Sequence, residues 1–306
     1  MGCGPALLIE TNASGETPRA SITLRHLSVV FGADCEITGN FSAVKHGAFT
    51  VIRVVGGDVD DELKAHFLGI CALVIARLGI SPAPDAIGLA VDRLVELFRS
   101  LSQSARKTVQ GLWAEVFLIA VSTAPGKLID CWHDDPTELY DFHAGKQRIE
   151  VKSSRGERRV HVFQLGQLTL PEGASVVIAS VRVDPASGGD TVGDLLNQIG
   201  DRGVTAEQWL RAYEVVSQTL GDEWEQAAPQ RFDRQRGLAE LAFYRAEDIP
   251  QVDPVLPPGV PRVSFTSDLS GVASLSSSDL SRTSGLLADA AVHSSRRVKC
   301  GLSGEW

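Results

Sequence analysis

The sequence predicts an α/β protein with a β-rich N-terminal lobe, on three observations. Alternating apolar and polar residues, punctuated by Gly, Asn and Pro, dominate the first 57 residues, the pattern of half-buried strands. Helical periodicity then runs from about residue 58 to 122. After Pro125-Gly126 short strands return at close intervals, and two further helices follow them.

In the lobe, strands are expected at 6–10, 21–31, 35–38 and 49–55. Asp58, Asp60, Asp61 and Glu62 suit the positive N-terminal end of a helix over 58–78. Gly79 and the Ser81-Pro-Ala-Pro break stop that helix, and others follow at about 86–101 and 105–122. Strands are then expected at 138–143, 148–154, 160–165 and 174–183, and helices near 191–199 and 205–220. Thr205 is placed to cap the last of these, with Gln208 in the capping-box position. Late strands at 238–244 and 262–265 surround a Pro-rich turn, and from Ser267 Ser, Gly and other small residues predict disorder. The expected organisation is a lobe over 1–57, a helical segment plus core over 58–266, and a tail over 267–306, without internal repeats.

At 306 residues, 43% hydrophobic and 22% charged, the chain has an ordinary globular balance. Its cysteines, at 3, 35, 71, 131 and 300, form no CxxC pair, which suits reduced thiols in a cytoplasm better than a disulfide framework. The opening Met-Gly-Cys-Gly-Pro-Ala lacks the Ser or Thr of a myristoylation signal and the features of a secretory one. The longest apolar run, 67–76, is too short to span a bilayer. A soluble, cytoplasmic protein with no membrane partner is therefore expected. A net charge of −9 is not the footprint of a nucleic-acid binder, so any such role must draw on local charge.

The chemistry concentrates between residues 111 and 168. If 138–143 and 148–154 form a hairpin around 144–147, His143 faces Arg148 and Asp141 faces Glu150, with side chains about 5 Å apart on one face. Alternation puts Glu150 and Lys152 on that face and turns Ile149 and Val151 into the core. Opposed carboxylates destabilise a bare sheet, whereas a divalent cation between them reverses the sign. A solvated strand face carrying charges by chance is the plainer reading. Glu115 lies in an almost wholly apolar helix, Gly111-Leu-Trp-Ala-Glu-Val-Phe-Leu-Ile-Ala120. Burial there costs several kcal/mol unless the carboxylate is paired or bound to metal; the alternatives are escape to solvent or an Arg partner.

These residues, in this order, resemble the PD-(D/E)XK nuclease superfamily, and more closely the bacterial "PD-(D/E)XK motif protein" family found among restriction and phage-defence genes. The stretches that carry the resemblance are Gly111-Leu-Trp-Ala-Glu115, Tyr140-Asp-Phe-His143, Ile149-Glu-Val-Lys-Ser-Ser154 and His161-Val-Phe-Gln-Leu-Gly-Gln-Leu168. Tyr140 stands where the superfamily name has Pro. The resemblance implies a restriction-endonuclease-like core, a mixed central sheet flanked by helices. It implies magnesium, or manganese, held by Asp141 and Glu150 with Glu115 contributing a carboxylate directly or through water. Lys152 would then orient or help deprotonate the attacking water and offset charge on the phosphate, in metal-assisted phosphodiester hydrolysis.

Between 146 and 161 stand Lys146, Arg148, Lys152, Arg155, Arg158 and Arg159 against Glu150 and Glu157, a local basic stretch suited to phosphate contacts or simply a solvated rim. His161, Gln164 and Gln167 are candidates for contacts behind the site or to DNA, or for strand-edge hydrogen bonds. Ser153 and Ser154 could bind phosphate or cap the strand. Trp113 and Trp132 read as core, and His133-Asp134-Asp135-Pro136 as an exposed turn. The leading expectation is a DNA endonuclease of a restriction or anti-phage system, working with other defence proteins or as a homodimer. The runner-up is a nuclease-fold binding or accessory subunit that does not cleave without partners. The lack of P-loop, GxGxxG, GxSxG and HExxH motifs disfavours an unrelated small-molecule enzyme.

Overall fold

The computed structural model describes residues 4–10, 19–38, 45–56, 61–80, 82–133, 135, 137–170, 172–252, 259–260 and 262–292. In chain order the elements begin with β1 (Ala6–Glu10), β2 (Ile22–Thr23), β3 (Leu27–Ile37), β4 (Lys45–Val54), α1 (Asp61–Leu78), α2 (Pro84–Ser100) and α3 (Val109–Val121). Next come α4 (Pro125–Asp130), β5 (Phe142–Ala144), β6 (Gln147–Ser154), β7 (Val160–Gln164), α5 (Leu165–Leu168) and β8 (Ser175–Arg182). The chain continues through β9 (Pro185–Asp190), α6 (Val192–Gly200), α7 (Ala206–Leu220), α8 (Trp224–Ala227) and α9 (Arg234–Ala239). It ends with β10 (Ala242–Arg245), β11 (Ser264–Asp268), α10 (Ser277–Ser281) and α11 (Leu286–Asp289). Among the described residues no helix is long and apolar enough to cross a membrane.

Two compact units result, residues 1–113 with 185–233, and 114–184 with 234–306. α1 and α2 fall in the same unit as the N-terminal strands, on the far side of the boundary expected at 57/58. That sheet is antiparallel, in the order β1-β4-β3-β2. The strands expected at 21–31 and 35–38 are largely one, β3, whose pairing with β4 shifts register between Val30 and Ala33. Gly32 supplies the bulge with a φ of 62° that a side chain would resist. In the same unit α2 is tied to α7 by Arg93, which donates to Glu214 (2.8 Å) and Glu207 (2.6 Å). Thr205 caps α7 and closes a capping box with Gln208, as the sequence predicts. The expected helix start at 58–60 lies outside the described residues.

His66 of α1 is buried against Tyr213 and Trp224, its Nε2 3.2 Å from Ser217 Oγ. Burial holds its pKa down to about 3.

The second unit contains a mixed sheet in the order β10-β8-β6-β5: β6 runs parallel to β8 and antiparallel to β5, and β10 is antiparallel to β8. With its flanking helices this is a restriction-endonuclease-like α/β core. Ile149, Val151, Val177, Ala179 and Val181 are buried on one face. Tyr140, Phe163, Val176, Ile178, Tyr244 and Leu269 form a core cluster. β7 pairs instead with β11. That pairing corrects the expected disorder from Ser267 over its described part: 267–292 complete β11 and add α10 and α11, with Leu269, Leu280, Leu286 and Leu287 buried. Few but well-spaced leucines anchor a segment whose composition reads as disordered; residues 293–306 lie outside the description. The strand expected at 138–143 begins only at Phe142, and residues 234–239 of the unit are helix before the short β10.

Arg182, at the end of β8, has a side chain only 2% exposed. It donates to Glu240 (3.1 Å), Ser154 Oγ (3.1 Å) and the carbonyls of Arg158 (2.6 Å) and Glu157. One guanidinium thereby satisfies the backbone of the turn between β6 and β7.

Two measurements test these buried groups. Arg182→Met leaves those carbonyls without their donor and should destabilise the second unit by about 3–5 kcal/mol in urea unfolding. For His66, the unfolded chain takes up a proton near pH 6.5 that the folded one refuses until about pH 3. Stability is therefore full above pH 6.5 and falls as pH drops from there, by an amount on the order of a few kcal/mol. His66→Phe should flatten that part of the stability–pH curve.

Candidate active site

The hairpin forms with His143 opposite Arg148, as the sequence predicts, and its ladder ends at Phe142, one residue short of Asp141. Phe142 pairs with Ile149, His143 with Arg148 and Ala144 with Gln147. The strands run closer together than expected, leaving only Gly145 and Lys146 as the turn, with Gly145 at φ 56°. Alternation on β6 then acts as required: Ile149 and Val151 are buried, and Glu150 and Lys152 share the other face, Nζ to Oε1 2.7 Å. Asp141 stands just before β5. Its Oδ2 accepts from the Val151 amide (2.8 Å), so the carboxylate is tied to the backbone of β6 one residue from Glu150. Asp141 and Glu150 are 8% and 5% exposed.

Glu115 approaches the hairpin from α3. It is 4% exposed, and Trp132 Nε1 donates to its Oε2 at 2.8 Å. Trp132 in turn is bridged to Phe142 and stacks on it, centroids 6.2 Å apart. The solvent-reaching alternative for Glu115 is therefore excluded, and Trp132, fully buried, is core and carboxylate partner at once.

Gln167 joins the set most completely. Its Nε2 donates to Glu150 Oε1 (2.6 Å) and to the Leu139 carbonyl (3.0 Å). Its Oε1 accepts from Lys152 Nζ (3.1 Å) and the Gln164 amide (3.0 Å). All four hydrogen-bonding positions of the amide are filled. Gln164 itself caps α5 in a capping box with Gln167. Lys152 also lies over the Phe163 ring, 5.4 Å from its centroid. Burial, with the Glu150 charge adding to it, raises the pKa of Tyr140, whose hydroxyl donates to the Gly166 carbonyl at 3.2 Å.

The other candidates separate. His161 is 3% exposed with Nε2 2.8 Å from Ser180 Oγ. Burial first, then Lys152, Arg159 and Arg182, hold its pKa down to about 4. The ring is thus enclosed and held against Ser180. Arg159 turns to Ser180 and the Glu240 carbonyl, and Ser154 accepts from Arg182. Arg158 pairs with Asp268 at 2.6 Å on the surface, and Arg155 is exposed. Ser153 is half-buried.

A further set stands beside this site. His133, Glu138 and His143 place ligand atoms within 4.8 Å of one another. The turn reading of 133–136 missed it, although the even spacing of five residues was visible; Asp134 and Pro136 lie outside the described residues.

Gln167→Leu keeps a similar volume and removes four bonds, one to the buried Glu150 and one to the half-buried Lys152. It should cost about 1–3 kcal/mol or more of stability in chemical denaturation, with Gln167→Glu unable to restore the bond to Glu150.

A family model described as "Putative PD-(D/E)XK family member, (DUF4420)" matches residues 42–270, about three quarters of the chain. No curated protein and no solved structure gives a match. The matched span contains Glu115, the hairpin with Asp141, Glu150 and Lys152, and Gln167. With a mixed sheet that presents the Glu-x-Lys pair on one face, the chain belongs to this PD-(D/E)XK family.

Proposed function

We propose that this protein is a magnesium-dependent endonuclease that hydrolyses DNA phosphodiester bonds in a restriction or anti-phage system. The observation that carries the reading is the contact of Lys152 with Glu150 on β6, one residue from the amide that holds Asp141. The donor set fits a hard divalent ion. It consists of carboxylate oxygens, which magnesium prefers, and they are buried where unneutralised charge is costly. Asp141 and Glu150 would hold the ion, with Glu115 adding a carboxylate directly or through water; manganese would satisfy the same donors. A cation bound there supplies polarisation of a phosphoryl oxygen and acidification of a water.

The remaining work falls to this chain's own groups. Lys152 carries the positive charge that offsets charge developing on the phosphate, and Glu150 and Gln167 aim its ammonium. Exposed Lys146 and Arg155 supply attraction for a DNA backbone. The surface pair of Arg158 with Asp268 is cheap to exchange for a phosphate. Cleavage of both strands by one such site calls for two copies or a partner nuclease.

Purified protein incubated with plasmid DNA should nick it with magnesium or manganese and not with EDTA. Lys152→Ala and Glu150→Gln, checked for folding by circular dichroism, should each lower the rate by about a hundredfold or more. Persisting cleavage in Lys152→Ala would remove this site from the reaction. Absence of nicking with every divalent ion would sink the proposal of a nuclease that acts alone.

A further inference from the structure

Three residues outside the carboxylate site converge by a different chemistry. His133 and His143 stack nearly parallel, ring centroids 3.9 Å apart at 13°. Glu138 brings its carboxylate to them, so that one ligand atom from each lies within 4.8 Å of the others. The backbone holds this arrangement from both ends. The His133 amide donates to the Asp141 carbonyl (2.9 Å), and the His143 amide to the Cys131 carbonyl (3.0 Å). Trp132 and Phe142 bridge between them and are fully buried. This short antiparallel contact puts His133 and His143 on the face away from those aromatics, as diagonal cross-strand neighbours within side-chain reach. The intervening loop turns back through Asp135, whose Oδ1 accepts from the Thr137 amide (2.8 Å) and hydroxyl (2.7 Å). The Glu138 amide donates to the Asp135 carbonyl at 3.0 Å. Glu138 is exposed and both histidines are half-buried, so an ion has a path in.

We propose that His133, Glu138 and His143 form a second metal site, which takes a divalent transition-metal ion of the zinc class. Two imidazoles and one carboxylate suit zinc, cobalt or nickel and are a poor set for magnesium. Three protein ligands leave a position open for water or another ligand. The ion clips the 133–143 loop closed, and through the His133 amide and the two-residue step to His143 it braces Asp141. The site stands independently of the nuclease reading, since its first consequence is metal binding rather than cleavage.

The test uses the full chain, stripped with chelator and titrated with zinc or cobalt in excess magnesium, which competes for the carboxylate site, by calorimetry and by visible absorption of bound cobalt. One equivalent should bind, and excess magnesium should not displace it. His133→Ala, His143→Ala and the exposed, structurally mild Glu138→Gln should each weaken binding by at least about tenfold, the lower end of what even loss of a residue behind a ligand costs. Glu150→Gln should leave it unchanged. Zinc should raise the melting temperature of the wild type and not that of the His133→Ala, His143→Ala double variant. No zinc or cobalt binding by the wild type, or binding that survives in the double variant and in Glu138→Gln, overturns the proposal. Loss of binding in Glu150→Gln would instead merge the two sites and overturn it equally.

Discussion

The position of β6 between an antiparallel neighbour, β5, and a parallel one, β8, is the constraint on which the site depends. A strand bonded on both edges cannot slip or twist without breaking two ladders. Its alternation is therefore rigid, and with Ile149 and Val151 on one face Glu150 and Lys152 must share the other. A slip of one residue would set the charges among the packed aliphatics and take Glu150 and Lys152 away from Gln167. The hydrophobic free energy that assembles the sheet thus also places the polar pair. Asp141 follows from the same register, since its carboxylate caps the Val151 amide where β5 has not yet begun.

Placing buried charges requires partners, and the second unit supplies them from side chains distant in sequence. Gln167 spans Glu150 and Lys152 with one amide and meets the backbone with its other two bonds. Arg182 does the corresponding work under the turn between β6 and β7. Such groups contribute less to net stability than to uniqueness, because each has many donors or acceptors and few geometries that satisfy them all. Trp132 belongs with them: its indole fills the core while its N–H meets Glu115. The scaffold around the carboxylates is in this sense a set of partnered polar groups, an arrangement that confines side chains to a narrow range of positions.

Much of this was legible in the sequence where local rules dominate. β1, α7 with its Thr205 cap, and the hairpin register all follow from alternation, capping chemistry and turn residues. Legibility failed where a remote partner overrides local composition. β11 is ordered by β7, and α10 and α11 by three buried leucines in a Ser-rich stretch. The turn at 133–136 looked solvent-directed because nothing local reveals that residue 143 returns beside residue 133. Arg159 stands in a basic run and His161 on the strand that follows it, and no local pattern shows that both side chains meet Ser180.

By itself the sequence determined which residue types share a strand face and in what order the acidic groups and the lysine appear. Those are consequences of a two-residue period and of a short turn, both local. Tertiary structure decided which of the nearby polar groups reach the site and which are consumed in holding it: Gln167 the hub, Arg159 and His161 enclosed, Glu115 met by Trp132. Those outcomes depend on contacts between residues far apart along the chain, where desolvation makes every buried polar atom seek a partner that no local pattern records.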